Sequence, residues 1–288
     1  MRIDLHTHSD RSDGTLSPRE VVLAARAAGL DVVGLTDHDT AEGWDEARAT
    51  AAEIGITVVP GMEISCAYAG RSVHLLAYFP DPGHEPLQEA LRLVLEGRDQ
   101  RTPRVCAKLR DLGIDIDEVE VARGAGDAVA IGRPHIADAL IDLGVVADRG
   151  EAFDRFLSPG RPAYVRRYAA PLEEMLGIVQ GAGGVPVIAH PWGRAEPSAL
   201  RVEGLAQLQG LGLAGIEVDH QDHDAEQRAA LRGIARELGL VVTGSSDFHG
   251  AGKVDHDLGC NTTDPAELER LVALADRVAA RRTSPAAP

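Results

Sequence analysis

The chain has 288 residues, 44% of them hydrophobic, enough for a large core in one domain or in one domain with an insertion. Its 29 basic and 45 acidic residues leave a net charge of −16, which excludes general binding to a nucleic-acid backbone, stable DNA binding or an anionic membrane, though not a small phosphorylated substrate in a locally positive, metal-filled pocket. No apolar run approaches the ~20 residues of a membrane span, strand-like sequence from Arg2 leaves no room for a leader, and Cys66, Cys106 and Cys260 are few and widely spaced, so a cytoplasmic protein with reduced thiols is expected.

MRIDLHTHSD reads as a first strand. Side chains on a strand alternate faces, so His6 and His8 leave one face together, within reach of one metal ion. Asp13 follows after the strand has ended. Ser17-Pro18 opens a helix, with Ser as cap, Pro at the first position and Glu20 in the first turn. That helix carries Val21, Val22, Ala24, Ala25 and Ala28 and stops at Gly29. Residues 31–36 predict a second strand that ends in Asp37 and His38, and Thr40 is the expected cap of an Ala-rich helix to about Glu53. A third strand, 56–64, ends near Glu63; a fourth, 72–79, holds His74. Pro80, Pro82 and Pro86 then break the chain ahead of a helical stretch from about Leu87.

Between roughly residues 98 and 168 the strand signal disappears, and helices are expected at 105–112, 134–143 and 152–157. The βα rhythm returns with a helix at 172–179, a strand from Val185 to His190-Pro191, and strands at 215–218 and 240–245. Helices near 199–211 and 225–238 separate them, and a last helix covers 265–280. Residues 283–288 read as a disordered tail. The expected organisation is a barrel made of residues 1–97 and 169–282, with 98–168 inserted as a helical cap. About seven strands, each followed by a helix, indicate an α/β fold. His6, His8, His38, Glu63, His190, Asp247 and His249 lie at or just past strand C-termini, with His74 a little earlier in its strand. In α/β barrels chemistry collects on that face, which favours a closed barrel over an open sheet.

Two short-spaced pairs, His6/His8 and Asp247/His249, join His38, Glu63, His74 and His190 at successive strand ends. Such joint occurrence points to a metal centre. His84, His220, His223 and His256 lie in loops with acidic neighbours and read as having no special role. Imidazole and carboxylate donors without thiolates suit Mn²⁺, Zn²⁺ or Fe²⁺. Six histidines and three carboxylates exceed what one ion takes, so two or three ions are implied, with Glu63 suited to bridging. A carbamylated-lysine bridge, as in amidohydrolase barrels, has poor support: Lys108 and Lys253 are the two lysines of the chain, one in the insertion and one in a loop.

The stretches DLHTHSDRSDGTLSP, GLTDHDT, PGMEIS, VHLLAY, AHPW and SSDFHG, in order along nearly the whole chain, resemble the polymerase and histidinol phosphatase (PHP) superfamily. Asp13, together with IGRPHIADAL and FDRFLSPGRPAYV, resembles its nucleotide-phosphatase branch. That branch includes 3′,5′-nucleoside bisphosphate phosphatases and a 5′→3′ exoribonuclease of short RNAs. The resemblance implies a distorted (β/α)7 TIM-like barrel with three divalent ions, usually manganese. It assigns His6, His8, Glu63 and Asp247 to the first ion, Glu63, His74 and His190 to the second, and Asp13, His38 and His249 to the third. Clustered divalent ions activate water and neutralise phosphoryl charge, so the expected activity is release of phosphate from small nucleotides, with short RNA as a further substrate.

Asp247 and His190 are candidate catalytic residues through the ions they hold. Asp37, beside His38, is a candidate either for the acid that protonates the leaving group or for a residue that orients a ligand. In the insertion, Gly132-Arg133-Pro134-His135 stands at a helix start, where free N–H groups favour an anion, and Arg133 adds a forked donor. Arg133, His135 and, on the helix entering the insertion, Arg98 and Arg101 are the candidate substrate contacts. Alternative substrates are a nucleoside monophosphate or histidinol phosphate; the alternative class is a non-catalytic metal-binding module.

Overall fold

A computed structural model describes residues 1–193 and 200–283. The strands are β1 (Ile3–Thr7), β2 (Val32–Leu35), β3 (Thr57–Tyr68), β4 (Arg71–Tyr78), a two-residue β5 (Ala170–Pro171), β6 (Val185–Ile188), β7 (Gly215–Asp219) and β8 (Val241–Gly244). Around them stand α1 (Pro18–Ala27), α2 (Trp44–Ile54), α3 (Glu85–Asp99), α8 (Leu172–Gly181), α9 (Val202–Gly210), α10 (Ala225–Leu238) and α11 (Pro265–Thr283). Between β4 and β5 lie α4 (Arg101–Asp111), α5 (Glu118–Ala125), α6 (Arg133–Asp142) and α7 (Arg149–Ala152), the last running into one π-helical turn.

The sheet order is β1-β2-β3-β4-β6-β7-β8, with β5 beside β3. The seven strands make a nearly closed barrel. Its seam is drawn together just beyond the strand ends, where the His8 N–H donates to the Phe248 carbonyl at 2.8 Å and Thr7 bridges to Phe248. Ser17 caps α1 as the sequence predicts, in a reciprocal capping box with Glu20.

Two expectations are corrected. The strands are not all parallel and each followed by a helix: β3 runs on to Tyr68 and turns straight into β4, which is antiparallel to both β3 and β6. The turn is Ala69-Gly70, both at positive φ (47° and 77°), the backbone that tight hairpins require. A two-residue link leaves no length for a parallel crossover. The reversal also explains His74: the early part of β4 lies at the same end of the barrel as the late part of β3, and His74 pairs with Ser65. Secondly, α2 begins at Trp44 with Gly43 as its cap position, not at Thr40. The Thr40 hydroxyl is taken by the Glu42 N–H at 3.1 Å, and the Trp44 indole N–H is anchored on the Gly61 carbonyl at 2.8 Å. The expected start of a helix near residue 199 and most of the tail fall outside the described residues.

Apolar side chains of Val32, Val59, Leu76, Tyr78, Val185, Val187 and Val241 pack together between the strands, and the Tyr78 hydroxyl donates across to the Leu5 carbonyl at 3.2 Å. They close one end of the barrel and leave the polar residues to the other. A separate apolar cluster, including Val105, Leu109, Ile116, Val121, Ile136, Leu140 and Leu157, holds the inserted helices together.

Candidate metal centre

Alternation on β1 sends His6 and His8 to the same point, with their Nε2 atoms 3.0 Å apart. Glu63 Oε2 stands 3.3 Å from His6 Nε2 and 3.2 Å from His8 Nε2. From the far end of the chain, Asp247 Oδ1 stands 3.5 Å and 3.3 Å from the same two nitrogens. Nitrogen and oxygen ligands at about 2.1 Å from one ion lie roughly 3.0–3.4 Å from one another, so these edges have the dimensions of a coordination shell. The other Glu63 oxygen, Oε1, is 2.7 Å from His74 Nδ1 and 3.0 Å from His190 Nε2. Asp13 Oδ1 is 3.2 Å from His249 Nε2, and Asp13 Oδ2 is 3.8 Å from His38 Nε2. Every one of the nine expected ligands is therefore in one cluster. Three groups within it could hold an ion: His6, His8, Glu63 and Asp247; His38, Glu63 and His74; and His8, Asp13, His38 and His249.

The protonation states suit metal binding. Burial works against charge on Glu63, Asp13 and Asp247, but interactions with the surrounding imidazoles and Lys253 outweigh it and hold all three well below the usual carboxylate range. For Glu63 these are chiefly His38, His74 and His6, for Asp13 His38 and His249, and for Asp247 Lys253 and His6. Burial pushes His38 down to about 3 and His190 to about 4, leaving neutral imidazoles. His8 moves the other way: burial opposes its charge, yet its hydrogen bonds to Asp247 and Glu63 lift it to about 9. A proton held between carboxylates in this way marks a position that a metal cation takes over on binding. The backbone bends sharply to present two of the ligands, with His190 at φ 28° and Asp247 at φ 53°. Non-glycine residues there cost of order 1 kcal/mol or more, and such strain collects at functional sites.

The sequence reading missed the residues that hold the ligands. Glu217, in the middle of β7, is fully buried. Its Oε1 accepts from His6 Nδ1 at 3.1 Å, and its Oε2 accepts the His190 N–H at 2.9 Å. This fixes the His6 tautomer, with Nε2 turned to the cluster. A lone carboxylate in the apolar run GIEV was the available signal. His220, His223 and His256 are not idle loop histidines: they are 0%, 3% and 6% exposed. His220 Nδ1 accepts the Asp222 N–H at 3.1 Å, so the proton sits on Nε2, 3.3 Å from Asp247 Oδ2. Lys253 reaches the same Asp247 oxygen. His223 supports the turn after β6, with Nε2 accepting the Trp192 N–H at 3.2 Å.

Asp37 stands behind the cluster, bonded to Ser12, whose hydroxyl lies 3.4 Å from His8 Nδ1. Its carboxylate accepts the Ser9 N–H, the Ser9 hydroxyl and the Ser12 hydroxyl at 2.7, 2.6 and 2.7 Å, so it props the loop that carries Asp13. Arg98 is buried against Asp39, with Nε and Nη2 at 2.9 and 2.7 Å from one carboxylate oxygen and Nη2 also on Ser65 Oγ. Arg133 opens α6 behind the Gly132 cap, donates to the Leu157 carbonyl at 3.0 Å, and lies over the rings of Phe153 and Tyr164. His135 Nδ1 accepts the Gly132 N–H at 2.9 Å. Arg101 is 4% exposed and its Nε has no hydrogen-bond partner among the described residues. Burial, then Arg98, Arg167 and Arg133, press its charge down to about 8; Arg167, which the sequence reading did not single out, is pressed to about 10 by burial and Arg98.

Seven of the nine ligands, all but His6 and His8, line a cavity of about 770 Å³ together with Pro134, Asp138, Ile141 and Phe153 from the helices between β4 and β5. Residues 4–108 match the family model described as the PHP domain. The chain is 37% identical over 258 residues to a 3′,5′-nucleoside bisphosphate phosphatase from Chromobacterium violaceum, covering 89% of this chain and 90% of that protein. It is 34% identical over 248 residues to a 5′-3′ exoribonuclease from Haemophilus influenzae, covering 86% and 90%. A solved structure described as a metal-dependent phosphoesterase, from Bifidobacterium adolescentis, superposes with a TM-score of 0.89 at 37% identity, over 94% of this chain and 96% of that one. With a barrel, a ligand cluster and full-length relatives in agreement, the chain belongs to the PHP family of metal-dependent phosphoesterases.

Proposed function

We propose that this enzyme is a trinuclear phosphatase of small nucleotides, with 3′,5′-nucleoside bisphosphates as its first substrate and the 5′ end of short oligoribonucleotides as its second. The observation that carries the reading is the His6–His8–Glu63–Asp247 shell with its ligand-to-ligand edges of 3.0–3.5 Å, repeated in part around Glu63 Oε1 and Asp13. The donor set fits divalent ions, manganese first, and zinc or iron next. His6, His8, Glu63 and Asp247 hold the first, Glu63, His74 and His190 the second, and Asp13, His38 and His249 the third. Bound there, such ions lower the pKa of water and neutralise charge that builds on phosphoryl oxygens.

The remaining chemistry belongs to the chain. Glu217 and His220 fix ligands, and Asp37 fixes the Asp13 loop rather than supplying a proton. We read residues 98–168 as a recognition insertion. Within it Arg101, Arg133 and Arg167 press on one another's charge, and Arg101 Nε has no hydrogen-bond partner among the described residues. A second phosphate supplies the partner that Arg101 lacks, because an unpaired buried guanidinium is costly. The names of the relatives, a bisphosphate phosphatase and an exoribonuclease, describe substrates of this kind. Among the described residues no helix is long and apolar enough to cross a membrane, and the three cysteines are free thiols; we place the enzyme in the cytoplasm.

The test is phosphate release from a panel with Mn²⁺ supplied: adenosine 3′,5′-bisphosphate, a nucleoside monophosphate, a 5′-phosphorylated oligoribonucleotide, histidinol phosphate and an aryl phosphate. The bisphosphate is expected to have the highest kcat/KM. Arg133→Ala is expected to raise KM for the bisphosphate by roughly tenfold, the equivalent of ~1.4 kcal/mol, and to leave the aryl phosphate nearly unchanged. Equal effects on both would remove the recognition role.

A further inference from the structure

We propose that Arg149 is a positioning residue that holds the third-ion end of the site together and ties it to the helical insertion. The inference rests on the three-ion reading above. Arg149 opens α7, and its Nε and Nη2 donate to the two carboxylate oxygens of Asp138 on α6, at 2.6 and 2.7 Å. Its Nη1 donates to the backbone carbonyls of Asp13 at 3.1 Å and of Gly252 at 3.3 Å. One guanidinium thus joins α7, α6, the loop after β1 and the loop after β8. It borders the cavity, yet these bonds take up four of its five N–H donors. It is committed to the protein rather than to a phosphate, in contrast with Arg101.

The adjoining loop is shaped to admit it. A Cβ on Gly252 would stand 2.3 Å from Arg149 Nη1. From the other side Thr15 grips the same loop: its Oγ1 accepts the Ala251 N–H at 2.9 Å, and its own N–H donates to the His249 carbonyl at 3.2 Å. The third-ion ligands Asp13 and His249 come from the two segments that Arg149 pins, and their side chains are 3.2 Å apart. Neither loop has a ladder partner to hold its carbonyls in place at those residues. A planar fork can reach a carboxylate and two carbonyls at once; a lysine ammonium on a single stem cannot.

The experiment measures bound manganese per chain for the full-length enzyme across a series of free Mn²⁺ concentrations, with thermal melting in saturating Mn²⁺ alongside. Wild type is expected to hold three ions. Arg149→Met and Arg149→Lys are expected to hold two with wild-type affinity and the third about 10–100-fold more weakly, the range seen when a ligand-orienting partner is lost. Gly252→Ala, which keeps the arginine but blocks its seat, is expected to act in the same direction. The same ion is lost in Asp13→Ala, so adding Arg149→Met to it is expected to change neither remaining affinity. Three ions at wild-type affinity in the variants would overturn the inference. So would equal weakening of all three ions, or further loss in the double variant. A wild-type chain that holds fewer than three ions would overturn the three-ion reading itself, and this inference with it.

Discussion

At the scale of single residues, two kinds of buried charge coexist within one fold. Asp39 and Arg98 satisfy each other, and their neighbour Ser65 completes the pair. Arg101 has no such answer: its Nε has no hydrogen-bond partner among the described residues, and burial with Arg98, Arg167 and Arg133 works against its charge. Structure alone disfavours that arrangement, since removing a buried charge without a partner commonly stabilises. Arg101→Met is therefore expected to raise stability by ~1 kcal/mol in phosphate-free buffer and to lose the rise in Tm that inorganic phosphate confers on wild type. Its KM for a bisphosphate should climb roughly tenfold. Paired melting curves with and without phosphate, and the kinetics of the same variant, check both halves. A variant that is less stable and still gains Tm from phosphate would show Arg101 to be structural.

At the scale of elements, the site depends on how closely β1 lies against β2. Gly34 on β2 has no side chain because Leu5 is in the way: a Cβ there would stand 2.3 Å from the Leu5 carbonyl oxygen. Leu5 precedes His6, and the Thr7 hydroxyl donates to the Gly34 carbonyl at 2.7 Å. Gly34→Val is expected to cost ~1–3 kcal/mol from overpacking. It should also weaken binding of the ion at His6 and His8, because the displaced strand carries both. Urea unfolding together with metal titration measures the two effects. The same scale shows where local sequence signals ran short. The hairpin at Ala69-Gly70 carries one glycine in place of the usual Asn-Gly or Asp-Gly pair, so β4 passed for another parallel strand. The true start of α2 depends on Trp44 reaching Gly61, 17 residues away, which no capping rule contains.

At the scale of the molecule, the barrel converges four buried carboxylates, Asp13, Glu63, Glu217 and Asp247, on six histidines, with Lys253 paired to Asp247. Like charges gathered in this way repel unless cations lie among them. Exhaustive chelation is expected to lower Tm, and Mn²⁺ to restore it in proportion to the logarithm of its concentration, by ~2.7 kcal/mol at one hundred times Kd for each site. Calorimetry across a metal series checks this; a Tm indifferent to both chelator and Mn²⁺ would contradict a metal role. The molecule as a whole is acidic, with a net charge of −16, which disfavours long polyanions; under the proposed function, selection of small anions falls to Arg101, Arg133 and Arg167.

The sequence by itself determined the fold class and the family. His6 and His8 share a strand face because alternation is a property of the backbone, and ligands at strand ends gather on one side of any α/β barrel. These rules act over a few residues, so His38, Glu63, His74, His190, Asp247 and His249 could be singled out one by one as candidates, while Asp13, past its strand, came from the family resemblance. The tertiary structure decided what those residues lean on. Glu217 lies 211 residues from His6 and Arg149 lies 136 from Asp13, and no local pattern ties such distant positions together. Only the closing of the barrel and the seating of the insertion bring them within hydrogen-bond range. The antiparallel turn of β4 belongs to the same class, because strand direction follows from the length of the link and the partner it meets, not from the residues within the strand.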